Sequence, residues 1–486
     1  MSPMFLMCLI KNKKMTNVIV VGGGPSGMFT ALILSEHGYN VTLFESHDVV
    51  GGCHRVDRDA SGAFSEHGPR IYVSNYYNYM TLLTRYDLEF WKHYKPYNHG
   101  FVSTGIHTAW RSFTMKDACI FVLKYVLFFL RPTMFRTKSV FDAFSNMSPT
   151  ALAAFDKMCN LTDGAGMHRY TAESFFNLVN QNIFYKIVEP TQANDKWLWN
   201  VLQKRFEKMN GRIVHEHVDA IAEKDDKITG VKCGDVQYEA DIVILCTPPL
   251  ATQRILEASP NRVSQSTSLG DDLAVYARAC TYETYVSFTI HFNTTVTMSN
   301  VWGGRQDSDW NIGWIVMSDY IDGESPSFIS ATVYDLDKPS SFTKRTANET
   351  IGEHELLQEG TRQIFEQLSI QSETPHRAIL NKRVKWSKGR WTTSDMPFMK
   401  TPQCKPVSAE TLYSNLFWVG PHNMNNTYDF TSLENVCENV IAFCNKFDST
   451  IKIPRRRFLK LNDAIVYVVF TLCIMLAVTI VRRRRL

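Results

Sequence analysis

Gly22, Gly24 and Gly27 follow the spacing Gly-x-Gly-x-x-Gly, directly after the β-branched run Asn17 to Val21 and at the head of the helical stretch 28–37. Glycines so placed can hold the pyrophosphate of a dinucleotide. Gly22 permits the tight turn and Gly24 lets the backbone approach the phosphates, while Gly27 lets the helix pack close to the strand with its N-terminus toward the negative charge. Pro25 and Ser26 complete the turn. Eighteen residues beyond Gly27, the apolar run Val41 to Phe44 ends in Glu45. A carboxylate at that distance accepts hydrogen bonds from adenosine ribose hydroxyls and disfavours a 2′-phosphate. This chemistry requires a strand, a glycine turn, a helix closed by Gly38 and a second strand, which predicts an α/β fold.

The chain has 486 residues, 44% of them apolar, 12% aromatic and 21% charged. Such a composition excludes disorder, collagen and a small disulfide scaffold, and predicts two or three folding units. The net charge of +4 hides an asymmetry, because residues 451–486 carry nine lysines and arginines against the single acid Asp463. The preceding body is therefore net acidic by about four charges and is not expected to bind nucleic acid. Eleven scattered cysteines with no Cys-x-x-Cys pair point to reduced thiols in a cytosol-facing body. Cys53 and His54 lack partners at ligand spacing, so no metal site is expected.

Further blocks follow in a fixed order. Gly51-Gly52-Cys53-His54-Arg55 comes soon after Glu45, and His67-Gly68-Pro69-Arg70 leads into the strand-like run 71–74. Later come 211–218, ending at Val218, then 228–231, and 240–249, which contains Thr247-Pro248-Pro249. Last is the apolar strand Leu416 to Gly420, followed by a helix that Thr431 or Ser432 can cap and that runs through Phe443. In this order the blocks resemble the FAD-dependent superfamily of flavin-containing amine oxidases, protoporphyrinogen oxidases and phytoene desaturases. The His-Gly-Pro stretch is similar to that of the related UDP-galactopyranose mutases.

The resemblance implies noncovalent FAD, since the cysteine pentapeptide that tethers flavin in some relatives is not recognisable near Cys404 or Cys437. It implies FAD contacts from Gly51, Gly52 and Arg55, from Gly68, Pro69 and Arg70, from Val218 at the adenine, from Thr247, and from Gly420, Ser432 and Leu433 near the ribityl chain and flavin. Cys53 stands where many members carry arginine, and Leu433-Glu434-Asn435 replaces the usual Glu-Gly-Ala-type helix start. The implied fold is a Rossmann-like FAD-binding domain of the glutathione-reductase type, interleaved with a mixed α+β substrate domain. The expected parts are FAD-binding segments 15–100, 206–260 and 411–447, a helical insert 101–205, a substrate-domain sheet 261–410, a basic linker 448–463 and a membrane anchor 464–481. Strand-like runs at 284–292, 311–318 and 327–336 supply the sheet, and Ala118 to Leu130, too short to span a membrane, is either a core or groove-lining helix or a monotopic surface that admits a lipophilic substrate from the membrane.

For the reaction, the resemblance points to a hydride taken from an amine or a lipophilic small molecule. His67 and Arg70 are candidates to face the flavin ring or a substrate anion. Lys382 and Lys385 resemble the strand that carries a lysine near flavin N5, and Tyr428 stands near the position of an aromatic flanking the ring. Two alternatives are a mutase-like reaction on a nucleotide sugar without net redox change and a non-catalytic flavoprotein scaffold.

Ala464 to Val481 is eighteen residues without a charge or proline, about 27 Å of helix, and it is flanked by basic residues. It is expected to be a single C-terminal anchor. The amino end makes a poor secretory signal, and Met15 could serve as the start. Together these suggest a tail-anchored protein with a cytosolic body, in the mitochondrial outer membrane or the endoplasmic reticulum.

Overall fold

The computed structural model describes residues 16–97, 110–163, 166–179, 186–260, 263, 267–298, 302–303, 308–423, 431–457 and 460–483. Met15 and Tyr428 lie outside them. Five parallel strands form the central sheet, in the order Leu416–Trp418, Ile242–Leu245, Asn17–Val21, Asn40–Phe44, Arg212–Val214. Three distant stretches of chain are thereby assembled around the first strand. That strand is covered on both faces: Val18 and Val20 point into a core with the helices Pro25–Glu36 and Leu433–Phe447, and Ile19 and Val21 into a second core. The second core is closed by the antiparallel meander Ala220–Lys224, Lys227–Cys233, Val236–Glu239. A continuous apolar strand run is what two-sided burial requires.

Gly24 caps the first helix, Pro25 occupies its first turn, and Gly38 ends it at φ +85° with its N–H on the Ser35 carbonyl. The closing helix begins one residue after Ser432, whose hydroxyl accepts the Asn435 N–H at 3.2 Å. It runs four residues past the expected Phe443. Of the block 211–218, only Arg212–Val214 is strand.

The second layer is an antiparallel sheet of Trp302–Gly303, Ile312–Val316, Ser327–Val333, Val286–Phe292 and His376–Leu380. Its strands are shorter than the apolar runs that foretold them. Beside it lies a helical unit whose core is rich in phenylalanine, with Phe128, Phe135, Phe144, Phe155, Phe175 and Phe176 buried together among aliphatic residues such as Val140, Met147 and Leu178. Each such ring contributes roughly 1.5–3 kcal/mol by leaving water. Its first helix is Met115–Leu130, longer than expected because Thr114 and Asp117 form a capping box upstream of Ala118. The face turned away from the phenylalanines leaves Val122, Leu123 and Val126 exposed.

The expected anchor falls in the helix Leu461–Arg483. Its described side chains reach Met475, and among the described residues no helix is long and apolar enough to cross a membrane. The base of this helix is tied to the helical unit by Tyr125 Oη donating to Asn462 Oδ1 at 2.9 Å and Lys460 Nζ donating to Asn177 Oδ1 at 3.3 Å. Ile465, Val466, Tyr467, Phe470 and Met475 are all exposed.

Candidate functional site

One cavity of about 1410 Å³ runs from the glycine turn to the antiparallel sheet. Its floor is made of two glycine turns set face to face. Gly22 lies at φ +102°, and a Cβ there would meet the Cys246 carbonyl oxygen at 2.9 Å; one on Gly27 would sit 1.8 Å from the Gly22 oxygen. A Cβ on Gly52, itself at φ +54°, would come within 3.0 Å of the Gly24 Cα. Side chains at these positions would run into neighbouring backbone, so the glycines let the strand, the helix and the second turn close up around a helix N-terminus that borders the cavity. These features fit a dinucleotide.

Glu45 is buried beside the turn, where Oε2 accepts the Gly23 N–H at 2.8 Å and Oε1 accepts the His47 N–H and lies 2.9 Å from His47 Nδ1. Burial pushes its pKa up, but the His47 and Gly23 contacts outweigh burial and hold it below the usual value. Ser26 Oγ donates to the Val419 carbonyl at 2.7 Å, so the turn is locked to the closing strand. Val218, Thr247, Gly420, Ser432 and Leu433 line the same cavity, as do Gly68, Pro69 and Arg70.

Arg55 lines the cavity as well, and its guanidinium is held there by protein groups. Its Nη2 donates to both carboxylate oxygens of Asp395 at 2.7 and 2.8 Å, Nε to Asp57 at 3.2 Å and Nη1 to the Gly52 carbonyl at 3.0 Å. With side chains 2% and 4% exposed, Arg55 and Asp395 form a buried ion pair, and the arginine clamps the second glycine turn through its own carbonyl. Asp395 also stands 3.0 Å from His67 Nδ1. Burial raises the Asp395 pKa, yet His67 and Arg55 together keep it far below the usual carboxylate range. The carboxylate thus selects the His67 tautomer with Nδ1–H. Nε2 is left as an acceptor, and it is buried without a partner. Burial depresses the His67 pKa despite Asp395, so the ring is neutral at pH 7.

Arg70 is a second, partly buried cation at the cavity, its side chain 16% exposed. Its Nη2 lies 3.7 Å from Glu66 Oε2, and Nη1 has no partner. Burial is the largest single influence and works against the charge, but Glu66, Tyr72 and Cys53 together raise its pKa above the usual arginine value. Behind it, burial pushes the pKa values of Glu66 and Glu189 up. Both carboxyls have a buried oxygen without a partner.

At the far end, Tyr285, Trp314 and Tyr334 line the cavity from the antiparallel sheet. Tyr285 and Tyr334 meet edge to face at 5.1 Å, and the His67 ring lies 5.0 Å from Tyr285. Lys382 and Lys385 also line the cavity. Lys382, however, is 38% exposed and its amine donates to Asp48 at 2.8 Å, so it sits in a rim ion pair and not at the aromatic end.

The segment 20–86 matches the family model of an NAD(P)-binding Rossmann-like domain. A chloroplastic 15-cis-phytoene desaturase of an Oncidium hybrid is 36% identical over 73 residues, which is 15% of this chain and 12% of the desaturase's own length. Putrescine oxidase with bound putrescine superposes with a TM-score of 0.59 at 15% identity, over 89% of this chain and 99% of the oxidase. Cyclohexylamine oxidase from Brevibacterium oxydans superposes with a TM-score of 0.53 at 12% identity, over 89% and 99%. The match at 20–86 identifies a Rossmann-like segment, and the superpositions show that the chain shares the fold of these oxidases.

Proposed function

We propose that the chain is an FAD-dependent oxidoreductase of the amine oxidase type, acting on an amine or on a lipophilic substrate with an oxidisable CH–NH or CH–CH bond. The observation that carries this reading is the single cavity joining the glycine turns to the Tyr285, Trp314 and Tyr334 corner. Bound there, FAD would supply hydride-accepting chemistry, while the protein would supply orientation and exclusion of water. The Gly22–Gly27 turn and its helix would bind the pyrophosphate, Glu45 the ribose and Val218 the adenine. Gly52, Gly420, Ser432 and Leu433 would position the remainder, whereas Gly51 turns to Trp199, whose Nε1 a Cβ there would meet at 2.7 Å. His67 Nε2 is poised to take a proton from a substrate, because its ring is neutral and its other nitrogen is held by Asp395. Arg70 Nη1 supplies a fixed positive charge for an anionic group, and the aromatic corner gives an apolar face to the substrate.

We further propose that the helix Leu461–Arg483 anchors the protein to a membrane with the body on the cytosolic side, in the mitochondrial outer membrane or the endoplasmic reticulum. Exposed apolar side chains from Ile465 to Met475, between the basic runs 455–457 and 482–485, support that reading.

Anaerobic mixing of the full-length holoprotein with a panel of primary amines, secondary amines and polyenes tests the reaction. Bleaching of the flavin by one class is expected. A flavin that no member reduces, in a protein that instead isomerises a nucleotide sugar after chemical reduction, would replace this reading with the mutase-like one.

A further inference from the structure

Outside the cavity, the sulfurs of Cys280 and Cys404 lie 3.7 Å apart although 124 residues separate them in the chain. Their meeting is built by pairing. Cys280 directly precedes the short strand Thr281–Tyr282, which is hydrogen-bonded to Phe398–Met399, and Cys404 follows that partner strand. Both thiols are buried at 8% exposure. They are not equivalent. Cys404 Sγ accepts the Thr401 N–H at 3.3 Å and has the Thr401 hydroxyl at 3.7 Å. The neighbouring Cys280 thiol is the largest influence favouring its thiolate, and Lys400 adds to it, so the Cys404 pKa falls while that of Cys280 rises. A crevice of about 20 Å³, lined by Arg136, Thr171, Lys400, Thr401 and Pro406, opens onto Cys404. That space holds one molecule of about water size.

We propose that Cys280 and Cys404 are a reversible redox modification site, in which hydrogen peroxide entering by this crevice converts the two thiols into a disulfide. The Cys404 thiolate attacks one peroxide oxygen, the O–O bond breaks, and hydroxide leaves to be protonated as water. The sulfenic acid so formed is attacked by the Cys280 sulfur: the S–S bond forms, the S–O bond breaks, and the departing hydroxide carries off the Cys280 proton as a second water. Two thiols are oxidised and one peroxide is reduced to two waters. Closing from contact distance to a bond of about 2.0 Å needs only a small side-chain movement. The bridge would fasten the strands on either side, and Phe398 and Met399 line the main cavity. This inference does not depend on the flavin reading.

The test is a non-reducing peptide map of the full-length protein, alkylated after treatment with one equivalent of hydrogen peroxide. A single linked peptide joining Cys280 to Cys404, lost on addition of dithiothreitol, is expected. In Cys280→Ser, dimedone should label Cys404; in Cys404→Ser, the link should vanish and Cys280 should stay alkylatable. Full alkylation of both cysteines in the wild type, while the exposed Cys119 and Cys473 are oxidised, would overturn the proposal. So would conversion of Cys404 to sulfinic acid with no link.

Discussion

Asp395 holds together more of the site than any motif residue, because Arg55 and His67 both depend on it. Removing one member of a buried ion pair leaves the other charge uncompensated, at a cost of roughly 3–5 kcal/mol. Asp395→Ala should therefore lower the unfolding free energy by about that amount in urea titrations, and it should release the His67 ring from its tautomer. Glu45→Gln is milder. It removes a charge-assisted acceptor of roughly 1.5–3 kcal/mol, so FAD affinity measured by flavin fluorescence should fall by about ten- to a hundredfold. Glu45 is legible in the sequence because its distance from Gly27 is fixed by one helix and one strand. Asp395 is not, since it lies 340 residues from Arg55 and meets it only through the tertiary fold. The same holds for Tyr285, Trp314 and Tyr334. Their strands are readable as apolar runs, but which side chains turn toward the cavity depends on register and on what the sheet covers.

At the scale of elements, the glycine turn and the closing segment carry the sharpest expectations. Gly27→Ala would place a Cβ 1.8 Å from the Gly22 oxygen, so helix and strand must separate. Loss of bound flavin with a stability cost of roughly 1–3 kcal/mol is expected. Gly38→Ala is the control. Nothing lies within 4 Å of its Cβ but φ is +85°, so it should cost about 1 kcal/mol and leave flavin content unchanged.

The segment after the closing strand adds a pH dependence. His422 stacks on Trp418 with ring centroids 3.4 Å apart, and burial brings its pKa down to about 3. The unfolded chain titrates near 6.5, so between these values it holds a proton that the folded protein lacks. This contribution to stability is complete above about pH 6.5 and is lost as pH falls, by about 1.4 kcal/mol per unit. His422→Phe should flatten the fall of the urea midpoint between pH 6.5 and pH 4. Nothing in the sequence marks His422, because its burial comes from packing against distant Tyr276 as well as Trp418.

For the whole molecule, the order of blocks in the chain is enough to read the architecture. Strands that look isolated in sequence are the five members of one parallel sheet, and the long stretches between them supply the antiparallel sheet and the helical unit. Ending the chain after Lys460 should move the protein from a carbonate-resistant membrane pellet to the supernatant with its flavin content unchanged. Retention in the pellet would shift membrane binding to the exposed face of Met115–Leu130.

The most direct measurement is the absorption spectrum of the full-length protein purified in detergent, before and after acid precipitation. Flavin bands that pass into the supernatant are expected, since the cavity fits FAD and the resemblance implies a noncovalent cofactor. A folded, colourless protein that takes up no added FAD would contradict the central claim, whatever the likeness of its fold to amine oxidases.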